Sequence, residues 1–267
     1  MKSSLIHLYR VIKEGYKYVK KIRRDKDLLN WYYEDREKLK QFHNKHIGED
    51  CFIIGNGPSL NKMDLSTLNE YHTFGLNKIF LLFEKTKLNL SYHAAVNPLV
   101  IEQMKSEIEK NVFNCPTFLS YKASKSILNK SHVFKLLTNN IWSFYGDITQ
   151  PIEEGYTVTF IAMQIAFYMG FKNVFLIGVD HNFKQVGKAN EEQQLANDDD
   201  NHFHPDYFKG QKWHLADIEG NEASYSLAKH AYHQDGREIY DATLNGKLQI
   251  FSKITFEEAL SKAKRRK

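Results

Sequence analysis

Two rhythms of apolar and polar positions divide this 267-residue chain. Over residues 3–45, Leu5, Leu8, Tyr9, Ile12, Tyr16, Val19 and Ile22 recur mostly at steps of three and four, with lysines and arginines between them. That spacing predicts helix, and Gly15 is the one glycine or proline before Gly48. From residue 50 the pattern changes to short, continuous apolar runs. "CFIIG", "HTFGLN", "SYHAAVN", "PTFLSY", "NVFLIGVD", "EIYDAT" and "LQIF" read as strands, and helical spacing fills most gaps, notably 98–110, 157–169 and 221–235. Continuous apolar strands joined by helical crossovers predict an α/β, doubly wound, mostly parallel sheet covered on both faces. Residues 181–220 interrupt the alternation. They are polar, rich in His, Asp, Asn and Gln, and too long for an ordinary connection, which predicts a lid or binding loop. The expected organisation is therefore a basic helical extension over residues 1–48 and a ligand-binding catalytic domain over 49–267.

Composition narrows this picture. With 42% hydrophobic and 13% aromatic residues the chain can bury a sizeable core, and five prolines without a low-complexity tract argue against long disorder. Cys51 and Cys115 form no framework and no metal-binding pair, which suits a reducing, cytoplasmic setting. The N-terminus has no signal-like apolar run, and no stretch approaches membrane-spanning length. Charge is uneven. Residues 1–45 hold thirteen Lys and Arg against six acids, a surplus of seven in a chain of net charge +5, so the remainder is about −2. A body so close to neutral excludes a whole-surface nucleic-acid binder. The basic helix suits three partners: the body itself, a second subunit in a homo-oligomer, or an anionic membrane leaflet as a peripheral contact.

Candidate chemistry gathers at strand ends, where ligands bind in open α/β sheets. "IIGNGPSL" ends the first strand: Gly55 and Gly57 allow close backbone approach, Pro58 and Ser59 fit a helix start, and free turn amides suit a phosphate. The stretch lacks a P-loop's lysine and the third glycine of a dinucleotide fingerprint. Asn77 and Asn97 stand after the second and third strands, so with Asn56 three asparagines occupy three successive strand ends. Their amides both donate and accept, which suits nucleobase edges and sugar hydroxyls. Thr157 and Thr159 open the 157–169 helix, and Asp180 closes "FLIGVD". The run "NDDDNHFHPD", with Asp198, Asp200, His202 and His204, lies mid-loop and reads as a solvated, mobile acidic loop; no metal site is expected.

"GNGPSL", the asparagine after strand two, "NP" after strand three and "AFYMGFKNVFLIGVD" together resemble the bacterial CMP-sialic acid-dependent sialyltransferases. They resemble equally the 6-hydroxymethylpterin diphosphokinase (MptE-like) domain family, to which the tail "HFHPDYFKGQKWH … IYDATLNGKLQIF" is closer. The resemblance spans roughly residues 50–256. It implies a Rossmann-like, metal-independent domain with a lid over a CMP-sugar, needing no cofactor, with Asn56, Asn77 and Asn97 contacting the donor. It further implies a lid histidine as general base, which maps onto His214 with His202 or His204 as competitors, and lid donors such as Tyr207, Lys209 or Lys212 at the leaving phosphate. Where those sialyltransferases carry a tyrosine after the strand-ending Asp, this chain has His181 and Asn182. The implied reaction is inverting transfer of a CMP-activated acidic sugar, sialic acid or a related nonulosonate, to a surface-glycan acceptor. The alternative implied is a diphosphokinase acting on a pterin-type alcohol with ATP and magnesium, the metal held by Asp180 and Asp147.

Overall fold

The computed structural model describes Lys13 and residues 26–266. Twelve strands are present among these residues: β1 (Asp50–Ile54), β2 (His72–Leu76), β3 (Tyr92–Ala95), β4 (Thr117–Ser120), β5 (Val133–Leu136), β6 (Thr138–Asn139), β7 (Ile152–Glu153), β8 (Asn173–Ile177), β9 (Glu192–Gln194), β10 (Lys212–His214), β11 (Glu238–Asp241) and β12 (Ser252–Lys253). Eight form one sheet in the order β12-β11-β8-β1-β2-β3-β4-β5. Every pairing within it is parallel. This is the doubly wound architecture that the continuous apolar runs predict. Along β1 the side chains alternate between two cores: Cys51 and Ile53 join the cluster containing the Val158–Met169 helix, while Phe52 and Ile54 join the cluster on the other face. Burial on both faces explains why these strands carry no polar stripe.

Local signals set the helix ends. Thr157 caps the Val158–Met169 helix by accepting from the Thr159 N–H, and Gly170 closes it in the left-handed region at φ 89°. The helix expected over 221–235 begins earlier, as Ile218–Gln234, because the Asp217 side chain accepts from the Gly220 N–H. The helix expected over 98–110 is two, Pro98–Gln103 and Lys105–Glu109, separated at Met104.

Three expectations need correction. "LQIF" is not a strand; Leu248 and Phe251 are buried core residues, and the pairing segment is the exposed β12 just beyond them. The edge strand β5 was not anticipated, since two lysines and a histidine dilute its short apolar run. The 181–220 insert is not a purely polar cover: β9 and β10 pair antiparallel within it, and Phe203, Tyr207, Phe208, Trp213 and Leu215 are buried in the second core. Lys78 pins it from below, donating from Nζ to the Tyr207 carbonyl at 2.7 Å and to Gln211 Oε1 at 2.5 Å. Burial pulls that ammonium down to about 8.

About half of the predicted N-terminal helix lies outside the described residues, including all seven apolar positions named for it. Its described part is helical over Lys26–Phe42, with a π-helical stretch at Trp31–Asp35. That part packs against the sheet: Trp31, Leu39 and Phe42 are fully buried, and Trp31 Nε1 donates to the β5 carbonyl of Lys135 at 2.8 Å. No helix among the described residues is long and apolar enough to cross a membrane.

Candidate active site at the switch point of the sheet

Chain direction across the sheet reverses between β1 and β8, so a crevice opens beyond their carboxyl ends. The glycines at these ends serve each other. A Cβ on Gly55 would lie 2.3 Å from the carbonyl oxygen of Gly178, which itself sits at φ +64°; a Cβ on Gly57 would lie 1.9 Å from Asp180 Oδ2. The expected phosphate cradle is therefore filled by protein. Gly55 N–H donates to Ile177 O and Gly57 N–H to Gly178 O, both at 2.8 Å. Ser59 donates to Asp180 twice, from its backbone N–H at 3.0 Å and from Oγ at 2.6 Å. Ser59 is thus buried as an anchor for Asp180 rather than exposed as a ligand. Burial pushes the Asp180 carboxyl upward, and the Ser59 hydrogen bonds pull against it.

A cavity of about 140 Å³ lies over this crevice. Gly55, Asn56, Gly57, Asn77, Thr157 and Thr159 line it, as do Asp180 and His181. A larger cleft of about 500 Å³ adjoins it, lined by Asn97, Trp142, Glu153, Tyr156 and His214 among others. The two share Asn77, Thr157, Val158, Phe183, His202 and Asn221, so they form one continuous depression. The N-terminal end of the Val158–Met169 helix opens into both halves, and its dipole makes that end the positive pole available to an anion. Among the described residues no lysine or arginine lines either half, so Lys209 and Lys212 of the insert stand elsewhere: they pair with Asp198 and Glu192.

Two amides in the smaller cavity are incomplete. The side-chain oxygens of Asn56 and Asn77 are buried without a hydrogen-bond donor. Asn77 is held at φ 49°, and its carbonyl accepts from His93 Nε2 at 2.8 Å. His93 is fully buried and stacked on Phe113 at 3.7 Å; burial drives its pKa down to about 3. An unfolded histidine takes up its proton near pH 6.5, so unfolding binds a proton between about pH 3 and 6.5 and stability falls as pH drops through that window. Urea midpoints are expected to fall from pH 7 to pH 5, with this residue contributing up to about 1.4 kcal/mol per pH unit. His93→Gln should flatten the slope; an unchanged slope would mean that His93 titrates normally in the fold.

The three histidines nearest the depression differ in what their rings offer. Asn97 spends its side-chain oxygen capping the Pro98–Gln103 helix, accepting from Leu99 N–H at 2.9 Å, and its Nδ2 faces His214 Nδ1 at 3.2 Å. The His214 proton then sits on Nε2, which makes this ring a donor to the cleft and not a base at that nitrogen. His202 is the reverse. Its Nδ1 donates at 2.8 Å to Oδ2 of Asp199, whose side chain is 1% exposed and whose Oδ1 accepts from Asn201 N–H at 2.9 Å. Nε2 of His202 therefore keeps its lone pair, and the residue lines both cavity halves. His181, at φ 52°, contacts Glu222 Oε1 through Nε2 at 2.9 Å. His204 lines neither half.

Two further expectations change here. Tyr207 does not reach the cavity: it is 1% exposed, stacks on His202 at 4.1 Å, and receives the Lys78 N–H at 3.2 Å. Burial raises its hydroxyl well above the usual pKa, so it supports the His202 ring from beneath. The acidic run is not merely solvated, because Asp199 is buried although Asp198 and Asp200 are exposed. Phe203 clamps this run to the glycine turn, its N–H donating to Asn56 O at 2.9 Å. Asp147 accepts from the Thr149 N–H and hydroxyl and lines neither half, so it is not brought to Asp180. Asn182, named with His181 after the strand-ending Asp, lines the cavity, whereas sequence reasoning missed Asn201, Asn221 and Tyr225, which no strand-end signal marks.

No curated protein matches the sequence closely enough to count as a relative. Among solved structures, the MAf glycosyltransferase from Magnetospirillum magneticum AMB-1 shares the fold, with a TM-score of 0.53 at 11% identity. The match covers 88% of this chain but 39% of that one, so the present chain spans well under half of its neighbour's length. A family model described as "6-hydroxymethylpterin diphosphokinase MptE-like" matches residues 26–186. That range takes in the buried Trp31 segment, the glycine turn, the asparagines beyond β1 and β2, and the β8 turn packed against them; with more than half its length matched, the chain belongs to the MptE-like family.

Proposed function

We propose that this protein is a glycosyltransferase that binds an activated sugar donor at the switch-point cavity and its acceptor in the adjoining cleft. One observation carries the reading: the two buried side-chain oxygens of Asn56 and Asn77, which have no donor within the protein. Such oxygens are costly unless a ligand supplies N–H or O–H groups, as a nucleobase amine or a ribose does. The fold likeness to a glycosyltransferase supports the class. The donor we infer is a CMP-activated nonulosonate, whose anionic groups would meet the N-terminal end of the Val158–Met169 helix in place of a lysine or arginine.

In this mechanism an acceptor hydroxyl attacks the anomeric carbon while the bond from that carbon to the CMP oxygen breaks. The electron pair leaves on the phosphate, the acceptor proton passes to His202 Nε2, and the configuration inverts. The Asp199 carboxylate fixes the reactive tautomer and stabilises the imidazolium, and His214 donates its Nε2 proton as a hydrogen bond within the cleft. A thermal-shift screen of CMP, CDP, UDP, GDP and ATP, each with and without magnesium, tests the donor. CMP at about 100 Kd should add roughly 2.7 kcal/mol without metal. Asn56→Ala should weaken that binding about tenfold, the scale of one hydrogen bond, without lowering the stability of the free protein.

A second reading, a diphosphokinase using ATP and magnesium, is favoured by the family's description and by the Asp180 carboxylate in the cavity. Against it, both Asp180 oxygens already accept from Ser59. Stabilisation by ATP with magnesium alone, CMP remaining silent, would replace the first reading by this one.

A further inference from the structure

At the other edge of the sheet, where the strands begin, three side chains converge on one point. His46 and Glu49 lie between the Lys40–Phe42 turn and β1, and His72 is the first residue of β2. His46 Nδ1 is 2.6 Å and His72 Nε2 3.1 Å from the same oxygen, Oε2 of Glu49. One nitrogen from each ring and that oxygen all lie within 4.8 Å of one another. The arrangement is rigid. The His46 ring stacks on Phe171 at 4.5 Å, and its Nε2 contacts the buried hydroxyl of Tyr92 at 2.6 Å. The Glu49 side chain is 31% exposed, which leaves a path for an ion and for water.

We propose that His46 Nδ1, His72 Nε2 and Glu49 Oε2 bind a zinc-class divalent transition-metal ion, at a site remote from the switch-point cavity. Two imidazoles and one carboxylate make a donor set suited to zinc or cobalt, with a fourth position for water. With neutral rings, each N–H faces the same Glu49 oxygen before the ion arrives. On binding, each ring moves the proton facing Glu49 to its other nitrogen, and the His46 Nε2–H then donates to Tyr92 Oη. No net proton is released and nothing is oxidised. The ion would tie the loop after the N-terminal helical segment to β2, so it binds the folded state alone and raises stability.

The test uses the full chain without an affinity tag, stripped with a chelator and titrated with zinc chloride by calorimetry. One saturable equivalent and a rise in melting temperature are expected, and cobalt chloride should give the visible d–d bands of a low-symmetry site. His72→Ala and Glu49→Gln should each weaken zinc binding at least tenfold, while His202→Ala, in the catalytic cavity, should leave it unchanged. Glu49→Gln retains the shape and hydrogen bonding of the native side chain, so it decides the matter if His72→Ala does not fold. No saturable zinc binding, or the same stoichiometry and affinity in folded Glu49→Gln, would overturn the proposal.

Discussion

His202→Ala is expected to lower transfer by about 10²- to 10⁴-fold, the usual worth of a positioned general base, while CMP binding stays near normal. The reason is its hydrogen-bond pattern. The buried Asp199 carboxylate accepts the Nδ1 proton and so leaves the lone pair on Nε2, in a residue that lines both the donor cavity and the acceptor cleft. Asp199→Asn should also cost turnover, since an amide can donate to Nδ1 and reverse the tautomer. His214→Ala should cost less, because its Nδ1 is occupied by Asn97 and the ring can only donate from Nε2. Single-turnover rates and CMP affinities for the three variants separate these roles. If His214→Ala is as inactive as His202→Ala, the tautomer argument is wrong. Full activity in His202→Ala would move the base elsewhere, with His181 the next ring in the cavity.

Gly55→Ala is the second change with a large expected effect, here on stability. The added methyl would meet the Gly178 carbonyl at 2.3 Å, and that oxygen belongs to backbone already bonded to the Gly57 N–H. Neither side can yield without breaking the β1–β8 contact, so the penalty should lie at or above the roughly 3 kcal/mol upper end of ordinary overpacking. A chain that does not accumulate as folded protein would fit the same expectation. Gly57→Ala meets a carboxylate instead of backbone, at 1.9 Å, but that carboxylate is held by two Ser59 donors. It should cost less than Gly55→Ala and displace Asp180 from the cavity wall. Urea midpoints for both variants provide the measurement. A near-native midpoint for Gly55→Ala would mean that the turn is free to move and that its glycines are there for a ligand after all.

Read from its residues alone, the chain already specified much of its fold. The apolar runs of β1, β2, β3, β4 and β8 lie where the strands are, and Thr157 and Gly170 bound the helix between β7 and β8. These are local properties: burial on both faces demands unbroken apolar runs, and capping needs only neighbours in sequence. Asn56 and Asn77 were legible for the same reason, because strand ends in such sheets face the ligand crevice. What tertiary structure decided was the partner of each polar group. Gly55 and Gly57 meet a turn more than a hundred residues away, so their steric role is invisible before β8 lies beside β1. Tyr207 looked available until Lys78 and the second core enclosed it. The choice between His202 and His214 rests on which ring faces a carboxylate and which faces an amide. Spacing cannot encode that choice, because burial of Asp199 and the reach of Asn97 exist only once the insert is folded onto the ends of β2 and β3.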